Sequence, residues 1–391
     1  MREAGGCVGM ARRRRYGLGV LLLVFIIGVL IGALAIYASV QYRLISVGGT
    51  VNSVELTFVY GSEKQGWIEE AESGFERWFE STFFIDVKCN FIPMGSKESV
   101  MQIVNEELHP VAWSPASSIW VPLLNEKWKS SHGSFLVDEG DVKPLVISPV
   151  VLATWNNSFY QQHPFKGIRD LREIALTDPD GGAGDLKYGH TNPHLSNSGA
   201  CMVLLEFAVA AGKDPDKLTL FDAANPQVQA WVKPLEDEAV QYGKSTGFFG
   251  DWAVEGGPKA ISVFAVYENV VIEKSKEAKQ VWGDSLIAVY PEEGVILSDH
   301  PFCILNAPWV TPLQRFAAEK LYEYLMRPEV QNEAQKYGFR PANPSVPLNT
   351  NIFNPENGVN ATLPRVLPPP PGYVLEAVVS AWDAVRNQGV K

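Results

Sequence analysis

Residues 54–79 read VELTFVYGSEKQGWIEEAESGFERWF, and this stretch sets the fold class. Val54 to Tyr60 is rich in β-branched and aromatic residues, which suit a strand. Ile68, Ala71, Phe75 and Phe79 then recur at the spacing of one helical face within Trp67 to Phe79. The same strand-then-helix pair repeats twice, as Asp86 to Ile92 followed by Ser96 to Leu108, and as Val111 to Trp113 followed by Ser118 to Trp128. Consecutive βα units of this kind build a parallel sheet through right-handed crossovers, so the chain is expected to be α/β. The apolar run Leu145 to Trp155 suits a strand buried on both faces and is long enough to pass between two lobes.

The α/β pattern continues downstream. Helices are expected at Ile168–Ala175, at Ser198–Ala211 between Asn197 and Gly212, at Pro226–Tyr242 and at Tyr267–Lys279. Strands are expected at Lys187–Gly189, Ala260–Ala265, Leu286–Tyr290 and Phe302–Leu305. Pro312 and Pro328 each stand at a first-turn position and start helices that run to Met326 and Tyr337. Pro341 to Pro371 is proline-rich and turn-prone, a surface wrap before a last helix at Gly372–Arg386.

Of the 391 residues, 46% are hydrophobic and 20% charged, enough apolar content for a sizeable core and too ordered a mixture for a disordered or fibrous chain. The net charge of −11 is uneven: six arginines and one glutamate precede Leu44, which leaves −16 on everything after it. So acidic a surface repels phosphate backbones, and nucleic acid is not an expected partner. Residues 16–42 carry no charge and are dominated by Leu, Val, Ile, Gly and Ala, the length and composition of a transmembrane signal anchor; the alternative is a signal peptide cleaved after Ala33-Leu34-Ala35, whose apolar run is ordinarily shorter. Arg12 to Arg15 in the basic tail, residues 1–15, should hold the N-terminus in the cytoplasm and place the rest outside the cell membrane. Cys89, Cys201 and Cys303 lie far apart in apolar surroundings and read as small core residues rather than as a disulfide or zinc framework.

Four segments carry a family resemblance: SSIWVPLLN (117–125), YGHTNPHLSNSG (188–199), YGKSTGFF (242–249) and APWV (307–310). In this order, between Val54 and Tyr337, they resemble the extracellular solute-binding proteins of ABC transporters. The subgroup is the type II periplasmic-binding-protein superfamily whose relatives are sometimes fused to von Willebrand factor A domains. The resemblance implies a two-lobed fold that takes up a small-molecule solute by cleft closure and delivers it to an ABC transporter permease. Together with the strand pattern it gives lobe I as residues 54–148 plus 302–391 and lobe II as residues 149–301, with two chain crossings as the hinge.

In open α/β sheets ligands bind beyond the carboxyl ends of the strands, where loops run into helix N-termini. Ser62, Ser96, Ser117 and Ser118 occupy such loops in the first three βα units, and Asn197 and Ser198 open a helix that would face them from the other lobe. Ordinary N-capping would use serine equally well. Tyr267 and Glu268 open a further helix and complete the candidate ligand-binding set. Hydroxyls and helix N-termini on both sides favour a compact oxyanion; Glu268, if it faces the cleft, would instead favour a cationic or polyhydroxylated solute. Trp120, Trp252 and Trp309 suit core or hinge packing better than stacking on a ligand.

Enzyme readings are weaker. There is no G-x-S-x-G elbow, HExxH or P-loop. His190 and His194 would pair on zinc only along a helix, which Asn192-Pro193 interrupts, so neither a metal nor another cofactor is expected. Asp299-His300 has no nucleophile beside it and reads as a turn before the strand at 302–305. The alternatives to solute capture are a membrane-anchored sensor or interaction protein with a solute-binding fold and, more remotely, a serine hydrolase, which a fluorophosphonate probe would label.

Overall fold

The computed structural model describes residues 53–177 and 185–387. The anchor expected at 16–42 and the tail at 1–15 lie outside the described residues. Among those described, no helix is long and apolar enough to cross a membrane.

The three βα units are present. β1 (Ser53–Gly61) pairs in parallel with β2 (Asp86–Met94), in register from Ser53↔Asp86 to Gly61↔Met94, and with β3 (Ala112–Ser114) on its other side. α1 (Gln65–Phe83) follows β1 and buries Trp67, Ile68, Ala71, Phe75 and Phe79, the face its spacing defines. α2 (Ser96–Val104) follows β2, and α3 (Trp120–His132) follows β3 and stops at Gly133, whose φ of 75° suits glycine. β4 (Lys143–Pro144) is an edge strand of this sheet.

β5 (Val146–Trp155) then carries the chain into a second, seven-stranded sheet and lies almost wholly buried, as its unbroken apolar run requires. This sheet is built with α4 (Ile168–Thr177), β6 (Tyr188–Thr191), α5 (Asn197–Ala211), α6 (Leu220–Ala224), α7 (Pro226–Asp237) and β7 (Ala239–Gly243), then α8 (Thr246–Gly256), β8 (Val263–Tyr267), α9 (Glu268–Trp282), β9 (Leu286–Val289) and β10 (Leu297–Ser298). α5 is buried from Asn197 to Val209, an all-round apolar helix at the centre of the second layer. β11 (Pro301–Ile304) returns to the first sheet between β3 and β4, followed by α10 (Pro312–Leu325), α11 (Pro328–Lys336), β12 (Arg340–Pro341) on β5, and α12 (Gly372–Asn387). The first sheet runs β2-β1-β3-β11-β4; the path of the second is β10-β5-β8-β6-β7, with β9 and β12 also on β5. The result is a two-lobed α/β fold.

Two expectations need correction. Residues 239–243 are the edge strand β7, paired in parallel with β6, rather than the end of a helix from Pro226. The helix already contains Pro234 and stops after Asp237, and the strand pairing then takes the Ala-Val-Gln-Tyr run that continues its apolar spacing. The second correction concerns 302–391, which does not stay with the first lobe. Beyond β12 the chain passes back to the second: the Ala288 amide donates to Gly358 O at 2.8 Å, Val295 bridges Val366, and α12 packs on α5, α6 and α7. The chain therefore crosses between the sheets three times, at β4–β5, at β10–β11 and at β12. The prolines of the proline-rich stretch withhold amide donors, so apart from the Val295–Val366 bridge the stretch from 342 to 371 forms no strand and serves as a strap that sets α12 down on apolar helix faces.

Candidate functional site

The loops at the carboxyl ends of β1, β2 and β3 face those of β6, β7 and β8, and hydrogen bonds stitch the two sets together. Ser62 Oγ donates to Ser245 Oγ at 2.8 Å and accepts from the Gly247 amide at 3.1 Å. The Lys97 and Glu98 amides, in the first turn of α2, donate to Leu195 O at 3.0 and 3.1 Å. Trp120 Nε1 donates to Asn197 Oδ1 at 2.8 Å, so this indole bridges the lobes. Asn197 Nδ2 in turn donates to Tyr267 OH and Ser298 Oγ, each at 3.0 Å. Ser198 Oγ shares hydrogen bonds of 2.8 Å with Thr191 Oγ1 and with Thr246 Oγ1. Gly199 is where the chain needs no side chain: a Cβ there would stand 1.7 Å from Thr191 O.

Ser62, Asn197, Ser198 and Tyr267 are thus all buried and hydrogen-bonded along this seam, Ser62 through Ser245 and Gly247 and separately from the other three. Ser96, Ser117 and Ser118 stay on the first-lobe side of the seam. Ser96 Oγ accepts from the Ala116 amide at 3.0 Å, Ser117 Oγ from the Ile119 amide at 3.4 Å, and the Ser118 amide donates to Asp299 Oδ1 at 2.8 Å. None of these contacts joins a serine hydroxyl to an imidazole. Glu268 is committed elsewhere: Arg340 Nε and Nη2 donate to its two oxygens at 2.8 Å each, and Tyr290 OH adds a third bond.

Sequence reasoning missed Thr191, Ser245, Thr246, Gly247 and Ser298. The signal for three of these was present, because Ser245-Thr246-Gly247 places hydroxyls and a glycine at the start of α8 much as Ser196 to Gly199 does for α5. It also missed a buried charged trio. Lys64 Nζ donates to Glu63 Oε1 at 2.9 Å, His300 Nδ1 lies 3.1 Å from both Lys64 Nζ and Glu63 Oε1, and all three side chains are almost fully removed from solvent. Burial alone would raise the Glu63 carboxyl, but Lys64 and His300 outweigh it and hold it at about 2. Burial pulls the Lys64 ammonium below its usual value, an effect that Glu63 opposes. Burial, helped by the Lys64 charge, lowers the His300 imidazole to about 4, so the ring is neutral at pH 7. His300 is no ordinary turn residue: its φ is 38°, held by its amide donating to Ala116 O and its carbonyl accepting from the Leu145 amide, both at 3.1 Å. The other ring nitrogen of His300, Nε2, is buried and has no partner among the described residues. Asn269 Oδ1 is likewise without one, although its Nδ2 donates to Glu63 O at 3.2 Å. A cavity of about 240 Å³ opens beside this seam, lined by Ser62, Glu63, Gly247, Asp251 and Lys274 among others.

The lowered His300 value carries a pH dependence. The unfolded imidazole titrates near 6.5 and the folded one near 4, so between these pH values the unfolded chain takes a proton that the folded chain refuses. Stability should therefore fall as pH drops through this window, by about 2 kcal/mol between pH 7 and 5, and Glu63 should add a further loss between pH 4.5 and 2. Urea unfolding at the two pH values checks this; equal stability at pH 7 and pH 5 would mean that His300 is not held neutral.

Residues 56–340 match the family model described as bacterial extracellular solute-binding protein. No curated protein sequence matches the chain. Solved structures share the fold at low identity. A periplasmic thiamin binding protein is 14% identical, with a TM-score of 0.62, over 86% of this chain and 98% of its own. The ferric binding protein from Campylobacter jejuni is 12% identical, with a TM-score of 0.56, over 85% and 99%. The sulfate-binding protein from Mycobacterium tuberculosis is 17% identical, with a TM-score of 0.54, over 86% and 99%. With the four motifs, the two sheets and the facing serine loops all inside or beside the matched span, this chain belongs to the bacterial extracellular solute-binding proteins, a family of binders rather than enzymes.

Proposed function

We propose that the protein is an anchored cell-surface receptor that closes on a small polar solute between its lobes and passes it to an ABC transporter permease. Residues 16–42 would hold it in the membrane with the described part outside. Lobe I would comprise residues 54–148 and 302–340, and lobe II residues 149–301 with the returning segment from 341. The observation that carries this reading is the set of direct bonds between loops of the two sheets, Ser62 to Ser245 and Trp120 to Asn197 above all. Contacts of this kind exist only when a cleft is closed, and a solute adds its own bonds to the same groups.

The proposed ligand-binding residues are Ser62, Ser96, Ser117, Ser118, Asn197, Ser198 and Tyr267, with the unpartnered His300 Nε2 as a further polar atom at the seam. Hydroxyls and amides favour a hydrogen-bond-accepting solute of the oxyanion class. Glu268 no longer argues for a cation, because its charge is met by Arg340. The sulfate-binding neighbour supports the fold's capacity for such a ligand and no more.

Calorimetry on the full chain with sulfate, phosphate and molybdate tests the ligand class. Ser117→Ala and Ser198→Ala should each weaken binding by about 1–3 kcal/mol, the loss of a hydrogen bond to a charged group. Unchanged affinity in both variants would remove these serines from the site. Loss of solute uptake on removing the protein separates import from a sensor role.

A further inference from the structure

Behind the cleft loop, on the far side of β6, lies a second cluster that solute capture does not use. His190, Glu206 and Glu236 come from β6, α5 and α7 and are completely buried. Their candidate ligand atoms all lie within 4.8 Å of one another. His190 Nδ1 is 2.7 Å from Thr191 O, which can only accept, so this nitrogen carries the proton. In the neutral ring Nε2 is then a lone pair, yet it faces Glu236 Oε1 at 2.9 Å. Two acceptors at that distance need either a further proton or a metal cation between them. The cluster also contains a loose end, because Glu206 Oε2 meets no donor among the described residues.

We propose that His190, Glu206 and Glu236 hold a resident divalent metal ion of the zinc class. One imidazole and two carboxylates are a familiar zinc donor set, and their two negative charges balance the ion in a site that excludes water. Two protons would also satisfy the cluster, one on Nε2 and one that burial keeps on Glu206 and that it donates to Glu236; a single divalent ion takes the place of both. The outer contacts are those that orient metal ligands. Thr191 O fixes the ring, Tyr188 OH donates to Glu206 Oε1 at 2.8 Å, and Tyr242 OH and Trp382 Nε1 donate to Glu236 Oε2 at 2.7 and 2.8 Å. Through Trp382 the ion would fasten α12 to the second lobe. Through Thr191, whose Oγ1 accepts from the Gly199 amide at 2.8 Å, it would set the position of the loop bearing Asn197 and Ser198.

The test uses the full chain, purified, stripped with a chelator and titrated with Zn²⁺, Mn²⁺ and, as a hard-ion control, Mg²⁺. One equivalent of Zn²⁺ should bind, and the melting temperature should rise by several degrees at about 100-fold excess over Kd. Glu206→Gln keeps the shape of the side chain and removes its charge; it should fold with the stability of the stripped wild type and bind Zn²⁺ at least ~10-fold more weakly. Should that variant not fold, His190→Gln carries the same expectation. Absence of Zn²⁺ uptake by the wild type would overturn the site and leave a carboxyl pair sharing a proton. Uptake that Glu206→Gln leaves unchanged would place the ion elsewhere and overturn it equally.

Discussion

Arg340→Ala is expected to destabilise the protein by about 3–5 kcal/mol, the usual result of stranding one partner of a buried ion pair. The Glu268 side chain is fully buried and that of Arg340 only 9% exposed. Without the guanidinium, the carboxylate keeps Tyr290 OH alone. Arg340 does more than neutralise it. Nη1 donates to Ala361 O at 2.7 Å, Nη2 to Asn360 O at 2.5 Å, and the guanidinium lies 4.9 Å above the Phe353 ring. It thereby pins the returning strap at the point where β12 pairs with β5. Glu268→Gln combined with Arg340→Met should recover much of the loss, because no charge is then left unpaired. Urea unfolding of the three chains decides; a cost below about 1 kcal/mol for Arg340→Ala would show that the pair is solvated.

The second large effect concerns closure. A Cβ at Gly247 would stand 2.6 Å from Ser62 O, and one at Gly95 2.7 Å from Leu195 O, both backbone atoms of the opposite lobe. Neither glycine has a positive φ, so alanine is compatible with its own backbone and acts as a wedge in the closed seam alone. Overpacking of this kind costs about 1–3 kcal/mol per site, so Gly95→Ala with Gly247→Ala should weaken solute binding by about 2–6 kcal/mol if the wedges add. The melting temperature of the unliganded protein should move far less, since the apolar clusters around Phe75 and around Val266 are untouched. Equal losses in affinity and stability would mean that the glycines serve packing within a lobe.

Much of this architecture is legible locally. The helical spacing of Ile68, Ala71, Phe75 and Phe79, the prolines at 312 and 328 and the terminating Gly212 each act through their own few residues; the last three helices stand within a residue of expectation, and the first runs two residues earlier and four later than its apolar face. What could not be read is set by partners distant in sequence. β7 is a strand because β6 lies beside it, although its residues continue the apolar spacing of α7. α12 has an apolar face that would suit any helix layer, and only the course of the strap selects the second lobe. The candidate site divides the same way. Serines at helix starts mark Ser62 and Ser198, whereas the partner that closes off Glu268 is 72 residues away and the one that joins Lys64 to His300 is 236.

The central claim is that solute binding and lobe closure are one event. Its most direct measurement is a thermal-shift screen of the full chain against oxyanions, sugar phosphates and cationic vitamins, run in parallel on Gly95→Ala/Gly247→Ala. The account predicts a saturable rise in melting temperature with an oxyanion for the wild type and little or none for the wedged variant at the same concentration. A rise of equal size in both, or none with any solute, would contradict it.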